Sequence, residues 1–211
     1  MIELVGILAA HAVPAERTAE AMHCGALAAA VREVEPRSSL CGRAGHHAAV
    51  VGWCRVADFL PARAGTPVTD DLLARIARDS RRHLARLAQV AGSIEIVVEV
   101  EGPAPGRTEA AVGGASYLRA AAQHRAGIEA GLAAARGQVE ACAAAFGAQL
   151  AHCPTVPGAR GREMSLLVRR AAAPRLATEL ERALATLPAG FARRISGPWP
   201  PYSFASSGDV A

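Results

Sequence analysis

One stretch constrains this chain more than any other: a helix pattern and a strand pattern written back to back between Thr69 and Glu101. Thr69 is placed to cap a helix, and Asp70 and Asp71 put negative charge in its first turn, where the helix dipole favours it. Leu72, Leu73, Ile76, Leu84, Leu87 and Val90 then recur at helical spacing, while Arg75, Arg78, Arg82 and Arg86 mostly face away from them. Gly92 ends the helix. From Ile94 the period changes to two. Ile94, Ile96, Val98 and Val100 alternate with Glu95, Val97, Glu99 and Glu101, which predicts a strand with one dry face and one largely acidic, solvated face. A helix with one apolar stripe beside a strand with one apolar face calls for layers packed on each other, an α+β architecture.

The remaining segments extend that pattern. Ile2 to Ala10 reads as a buried strand. Leu27 to Val34 is a weaker strand, since its alanines suit a helix equally. Pro36 to Ser39 is a turn, Leu40 to Trp53 a short helix, and Val56 to Leu60 a third strand ended by Pro61. Gly102 to Gly114 is rich in Gly and Pro and marks a domain boundary, giving domains 1–105 and 106–211. A long Ala-rich helical segment follows from about Ser116 to Leu150, with breaks expected near Gly127, Gly131 or Gly137. Cys153 to Gly161 reads as a loop and Met164 to Arg170 as a strand. Pro174 opens another helix, with Leu176, Leu180, Leu184 and Leu187 on one face. Pro188 and Gly190 stop it before a last short strand, Phe191 to Ser196. No fixed-period repeat is present.

Composition narrows the function classes. The chain has 211 residues, 51% hydrophobic and only 4% aromatic, so its core is built from Leu, Val, Ile and Ala. The net charge is +4 and every basic residue is Arg. The arginines are interleaved with acids and form no basic block, and the strand candidates lack base-stacking aromatics, which argues against nucleic acid as a partner. The five cysteines are odd in number and show no CxxC pair. Met1 to Val13 is short, carries Glu3 and lacks a basic start, unlike a secretory signal. No run approaches the ~18 apolar residues of a membrane span. The expectation is a cytoplasmic protein with reduced thiols and no membrane partner.

Catalytic motifs are missing as well. There is no GxSxG, HExxH, P-loop or GxGxxG. His46-His47, His152-Cys153 and Cys142 match no zinc spacing. Gly113-Gly114 reads as a flexible helix entry rather than an anion cradle. Glu95, Glu99 and Glu101 read as a solvated strand face rather than an acid–base pair. The chain is expected to have no catalytic residue, no cofactor and no metal.

The tail stands apart. Gly197-Pro198-Trp199-Pro200-Pro201-Tyr202-Ser203-Phe204 holds three aromatics and three prolines in eight residues. Each large aromatic can bury on the order of 150–250 Å². Such a segment either staples the chain end onto its own domain or forms part of a contact surface, and the two roles are compatible.

This tail resembles the C-terminal signature of the gas vesicle protein GvpL/GvpF family. Leu60-Pro61-Ala62-Arg63-Ala64-Gly65-Thr66 is similar to the family's Leu-Pro-x-Arg-Phe-Gly-Thr segment, with Ala64 in place of the usual Phe. Gly114-Ala115-Ser116-Tyr117-Leu118 is similar to its Gly-x-x-Tyr-Leu motif at the start of the long helix. Leu4-Val5-Gly6-Ile7 resembles its first strand, usually Leu-Tyr-Gly-Ile. The matches fall in order along nearly the whole chain. The resemblance implies two α+β domains, the first a variation of the ferredoxin-like fold. It implies an accessory protein of gas vesicle assembly that is no enzyme and contacts the hydrophobic shell protein GvpA and other accessory gas vesicle proteins. Trp199, Tyr202 and Phe204 are the favoured contact residues, with Arg63 and Tyr117 added from the family-like motifs. The rival readings are a small-molecule-binding regulatory domain, an enzyme using a reactive Cys or His, and a nucleic-acid binder.

Overall fold

The structure, a computed structural model, describes residues 1–34, 39–104, 114–151 and 160–205, and the side chains of all of these but 39–41. The predicted turn at Pro36, most of the Gly/Pro-rich linker and the loop from Cys153 lie outside the described residues, as do Gly113 and His152. The chain forms two compact units, Met1–Glu95 with Trp199–Ala211, and Ile96–Pro198. The division therefore falls at Glu95 rather than at residue 105, and the tail groups with the first unit.

In the first unit β1 (Ile2–Ala9) lies between β3 (Leu27–Glu33) and β4 (Leu60–Pro61), and β2 (Ala21–Cys24) flanks β3, all antiparallel. The alanines of β3 resolve as strand because Ala28, Ala29 and Ala30 pair with β1 on one side and β2 on the other. β2 has no sequence pattern of its own. It exists because a two-residue turn at Gly25, with φ of 69°, folds it back on β3. Glu3 to Leu8 are buried without interruption, so both faces of β1 are covered. Helix α1 (Ser39–Cys54) contributes Val50 and Trp53 to a cluster with Val5, Leu8, Ala28, Ala30 and Phe59. Helices α2 (Asp70–Arg78) and α3 (Ser80–Val90) pack on the same sheet, burying Leu72, Ile76, His83, Leu87 and Val90.

Two expectations are corrected here. The strand predicted at Val56 to Leu60 shrinks to Leu60–Pro61, because the amides of Val56 and Ala57 are still bonded to the Trp53 carbonyl, both at 3.0 Å. Pro61, lacking an N–H, is tolerated on this edge strand. Gly6 makes the pairing possible, since a Cβ there would sit 2.3 Å from the Leu60 carbonyl oxygen. The single helix predicted from Thr69 to Gly92 is two. Thr69 does cap the first, accepting from the Leu72 amide at 3.2 Å. At Asp79 the backbone leaves helical geometry, and its carbonyl restarts the ladder by accepting from Arg82 and His83 at 2.9 and 3.1 Å. Asp and Ser compete with backbone hydrogen bonds and are poor helix-interior residues, and Asp79-Ser80 is where the break falls.

The second unit runs β5 (Ser93–Glu101), α4 (Gly114–Ala145), β6 (Gln149–Leu150), β7 (Gly161–Arg169), α5 (Ala173–Leu184) and β8 (Ala192–Trp199), with sheet order β6-β7-β5-β8. This is a βαββαβ succession in the ferredoxin-like order. The first unit has the same order, β2-β3-β1-β4, with its first crossover helix reduced to 3-10 stretches at Ala10–Ala12 and Ala15–Glu20. Helix α4 is unbroken. Gly127 and Gly137 have open space around them and cost about 1 kcal/mol each relative to Ala, which the surrounding alanines outweigh. Gly131 is required by packing: a Cβ there would meet the Phe191 ring at 2.1 Å. α4 packs against α5, whose Leu176, Leu180 and Leu184 are all fully buried.

One buried ion pair holds the first unit together at the start of β1. Glu3, 2% exposed, sits opposite Arg32 in the β1–β3 register. Arg32 Nε donates to its carboxylate at 2.6 Å, and a second guanidinium nitrogen donates to the Gly42 carbonyl on α1 at 2.6 Å. The Gly65 amide donates to Glu3 Oε1, and His46 Nδ1 lies 3.0 Å from the same oxygen. His46 Nε2 bonds the Ala62 carbonyl at 3.0 Å. Burial alone would raise the Glu3 carboxyl; the Gly65 amide, the Arg32 guanidinium and His46 together outweigh it and hold it below the usual carboxylate range.

Removing one partner of a buried pair leaves the other charge uncompensated, at a cost of about 3–5 kcal/mol. Glu3→Gln is therefore expected to lower unfolding free energy by that order in urea melts at pH 7. A carboxyl that is easier to ionise in the fold stabilises it fully above the unfolded value of about 4.3. That contribution is lost as pH falls through the lower folded value. Wild-type stability should thus fall steeply below about pH 4, and Glu3→Gln should flatten that slope. Equal slopes in the two proteins would show that Glu3 is not the titrating group.

Candidate protein-contact site

The tail aromatics split into two roles. Trp199 ends β8, Pro200 and Pro201 are buried, and α6 (Tyr202–Ala205) is a single turn of helix. The turn is anchored at both ends. The Ser203 amide and hydroxyl donate to the two carboxylate oxygens of Glu95, at 2.9 and 2.6 Å. Arg86 donates to the Ala205 carbonyl at 3.3 Å. Glu95, expected on a solvated strand face, is instead 2% exposed, because the tail covers it.

Tyr202 is the inward residue. Its ring packs against the cluster around Val5, Val50 and Trp53, and its hydroxyl is 2.9 Å from His47 Nδ1. The His47 ring, one residue on from His46, stacks on Tyr202 at 6.0 Å between centroids. Trp199 leans against the same imidazole at 5.5 Å, tilted by 60°, yet remains 36% exposed. Phe204 is half-buried. The tail thus staples through Tyr202 and Ser203 and presents Trp199 at the surface.

The other two candidates lie elsewhere. Arg63 is exposed on the turn after β4, and its carbonyl accepts from the Thr66 hydroxyl at 2.8 Å and the Thr66 amide at 3.3 Å. Tyr117 belongs to the second unit, 54% exposed in the first turn of α4. His47, Glu95 and Arg86 were not singled out as tail partners by sequence reasoning. Their partners lie 155, 108 and 119 positions away, and no periodicity carries such a signal.

Among the described residues, no group of three or more His, Cys, Asp and Glu gathers as a metal-ion set. Burial pushes the Cys24 and Cys142 thiols up, the latter helped by Glu179, which disfavours the reactive thiolate. Cys153 and the side chain of Cys41 lie outside the described residues.

Burial, then Cys54 and Glu95, push the Tyr202 phenol up to about 12. A phenol that ionises near 10 in the unfolded chain and near 12 in the fold stabilises the fold fully below pH 10. That contribution is lost as pH rises through 12. Phenolate absorbance should show one of the two tyrosines titrating near 12, a step that Tyr202→Phe removes. A step near 12 that persists in Tyr202→Phe would assign it to the other ring.

The geometry can now be set beside known proteins. A sequence profile described as gas vesicle synthesis protein GvpL/GvpF matches residues 8–206. No curated protein matches the chain. Among solved structures, the gas vesicle protein GvpF from Anabaena sp. PCC7120 superposes with a TM-score of 0.71 at 10% identity, covering 98% of each chain. GvpF from Microcystis aeruginosa superposes with a TM-score of 0.67 at 12% identity, over 98% of this chain and 99% of the other. At such identities the likeness is one of fold. The profile, which runs from β1 to the end of the tail helix, shows that this chain belongs to the GvpL/GvpF family of gas vesicle synthesis proteins.

Proposed function

We propose that this protein is a cytoplasmic accessory factor of gas vesicle assembly that works by binding other proteins and catalyses nothing. The observation that carries the reading is the family match over residues 8–206. The proposed partners are the hydrophobic shell protein GvpA and other accessory gas vesicle proteins. A shell subunit with a strongly apolar face is an aggregation hazard until it is assembled, and a protein that holds or delivers it removes that hazard.

The contact residue favoured by the geometry is Trp199. Its neighbours in the tail are latched to Glu95, His47 and Arg86, while its indole stays partly open on a rigid support. Large aromatic anchors on pre-organised surfaces dominate binding energy. Tyr202 serves this reading by positioning, and Phe204 flanks it. Arg63 and Tyr117 are secondary candidates that do not depend on the tail. Buried thiols whose ionisation is disfavoured support the non-catalytic reading.

Co-expression with GvpA and capture on this protein tests it. Trp199→Ala is expected to lower capture about tenfold or more while the melting temperature holds, the loss expected when a central aromatic anchor is removed. Tyr202→Phe, which keeps the ring but loses the bond to His47, should shift the melting temperature more than the capture. Equal capture by wild type and Trp199→Ala would move the contact off the tail. No capture of GvpA by either would remove the shell protein as the direct partner.

A further inference from the structure

We propose that the first three to four turns of α4 form a docking stripe for an acidic amphipathic helix of a partner protein. The surface belongs to the second unit and does not depend on the reading given to Trp199. From Ile128 onward one stripe of α4 is buried: Ile128, Leu132, Ala135, Val139 and Cys142. Stepping back from Ile128 by four, three and four residues gives His124, Ala121 and Tyr117, so the same stripe continues toward the helix start. There the cover ends. Every residue from Gly114 to Gly127 is exposed except Ala120 and His124, which are half-buried. That is about 21 Å of helix at 1.5 Å per residue.

The residues left uncovered are not those of a solvated helix. Tyr117 is 54% and Leu118 67% exposed, side by side, in a chain with only two tyrosines. His124 Nε2 is shielded from solvent with no hydrogen-bond partner among the described residues. Recognition of one helix by another uses anchors at this i, i+3, i+4, i+7 spacing.

Charge selects the occupant. Between Gly114 and Ile128 the charged residues are Arg119 and Arg125, with no Asp or Glu. Arg125 stands four residues after Ala121 and seven after Leu118, on the flank of the stripe. A second copy of this chain would bring the same two arginines and no acid on this stretch, so it offers them no opposite charge. An apolar stripe edged with Glu or Asp fits instead.

The test installs a photo-crosslinking benzoylphenylalanine at Leu118 of the full chain, in cells that form gas vesicles, and sequences the crosslinked peptide by mass spectrometry. The expected peptide has apolar residues at helical spacing and a net negative charge. Arg125→Glu should reduce the crosslink at least fivefold, and Arg125→Lys should retain it. Trp199→Ala should leave it in place. A crosslink to a second copy, to the same chain or to a peptide without an acidic helical stripe would overturn the proposal. So would no crosslink, equal yield from Arg125→Glu, or loss in Trp199→Ala.

Discussion

The first unit depends on a carboxylate buried at the second residue of its first strand. A charge taken out of water is tolerated only when its partners are held in place, and Glu3 recruits them from three directions. Arg32 comes from the neighbouring strand, His46 from α1 and the Gly65 amide from the turn after β4. Arg32 reaches on to Gly42, and its guanidinium lies where a Cβ on Gly45 would be, at 2.5 Å, so α1 carries glycine at that contact. The pair links strand, helix and turn, and each element's position is set by one shared group.

The same logic explains two segments that looked like recognition motifs. Leu60 to Thr66 wraps Glu3. Gly65 takes a φ of 85°, which aims its amide at the carboxylate, and the Thr66 carbonyl accepts from Leu4 at 2.9 Å. The tail from Gly197 to Phe204 does likewise for Glu95, through the Ser203 amide and hydroxyl. Each segment satisfies a buried glutamate with a backbone N–H, so much of its sequence serves the fold. The exposed side chains are Arg63 in one and Trp199 in the other. In the Gly114 to Leu118 segment the Tyr and Leu stay exposed.

Elements with a strong local signal were legible in the sequence: β5, α5 and the capped start of α2 by their spacing, β1 by its unbroken apolar run and α4 by its alanines. Elements that exist through distant pairing were not. β2 is a strand only because β3 lies beside it, and β4 is short because α1 unwinds into it through the Trp53 carbonyl. Glu95 alternates with apolar neighbours as any solvated strand residue would, and its burial is decided by a tail more than a hundred residues later. Among the contact candidates, the tail stands out in the sequence by its aromatics and prolines, but composition does not separate the latch, Tyr202 and Ser203, from the exposed indole. That distinction rests on His47, whose helix offers no periodic hint of it.

The tail also sets an order of events. Trp199 to Ala205 complete the first unit, yet the chain between Ile96 and Pro198 must be made before them. During synthesis at about 5–20 residues per second, the cluster around Trp53 therefore waits without its Tyr202 cover for several seconds or more. The first unit is begun before the second and closed only after it, so its closure reports that the second unit has been made.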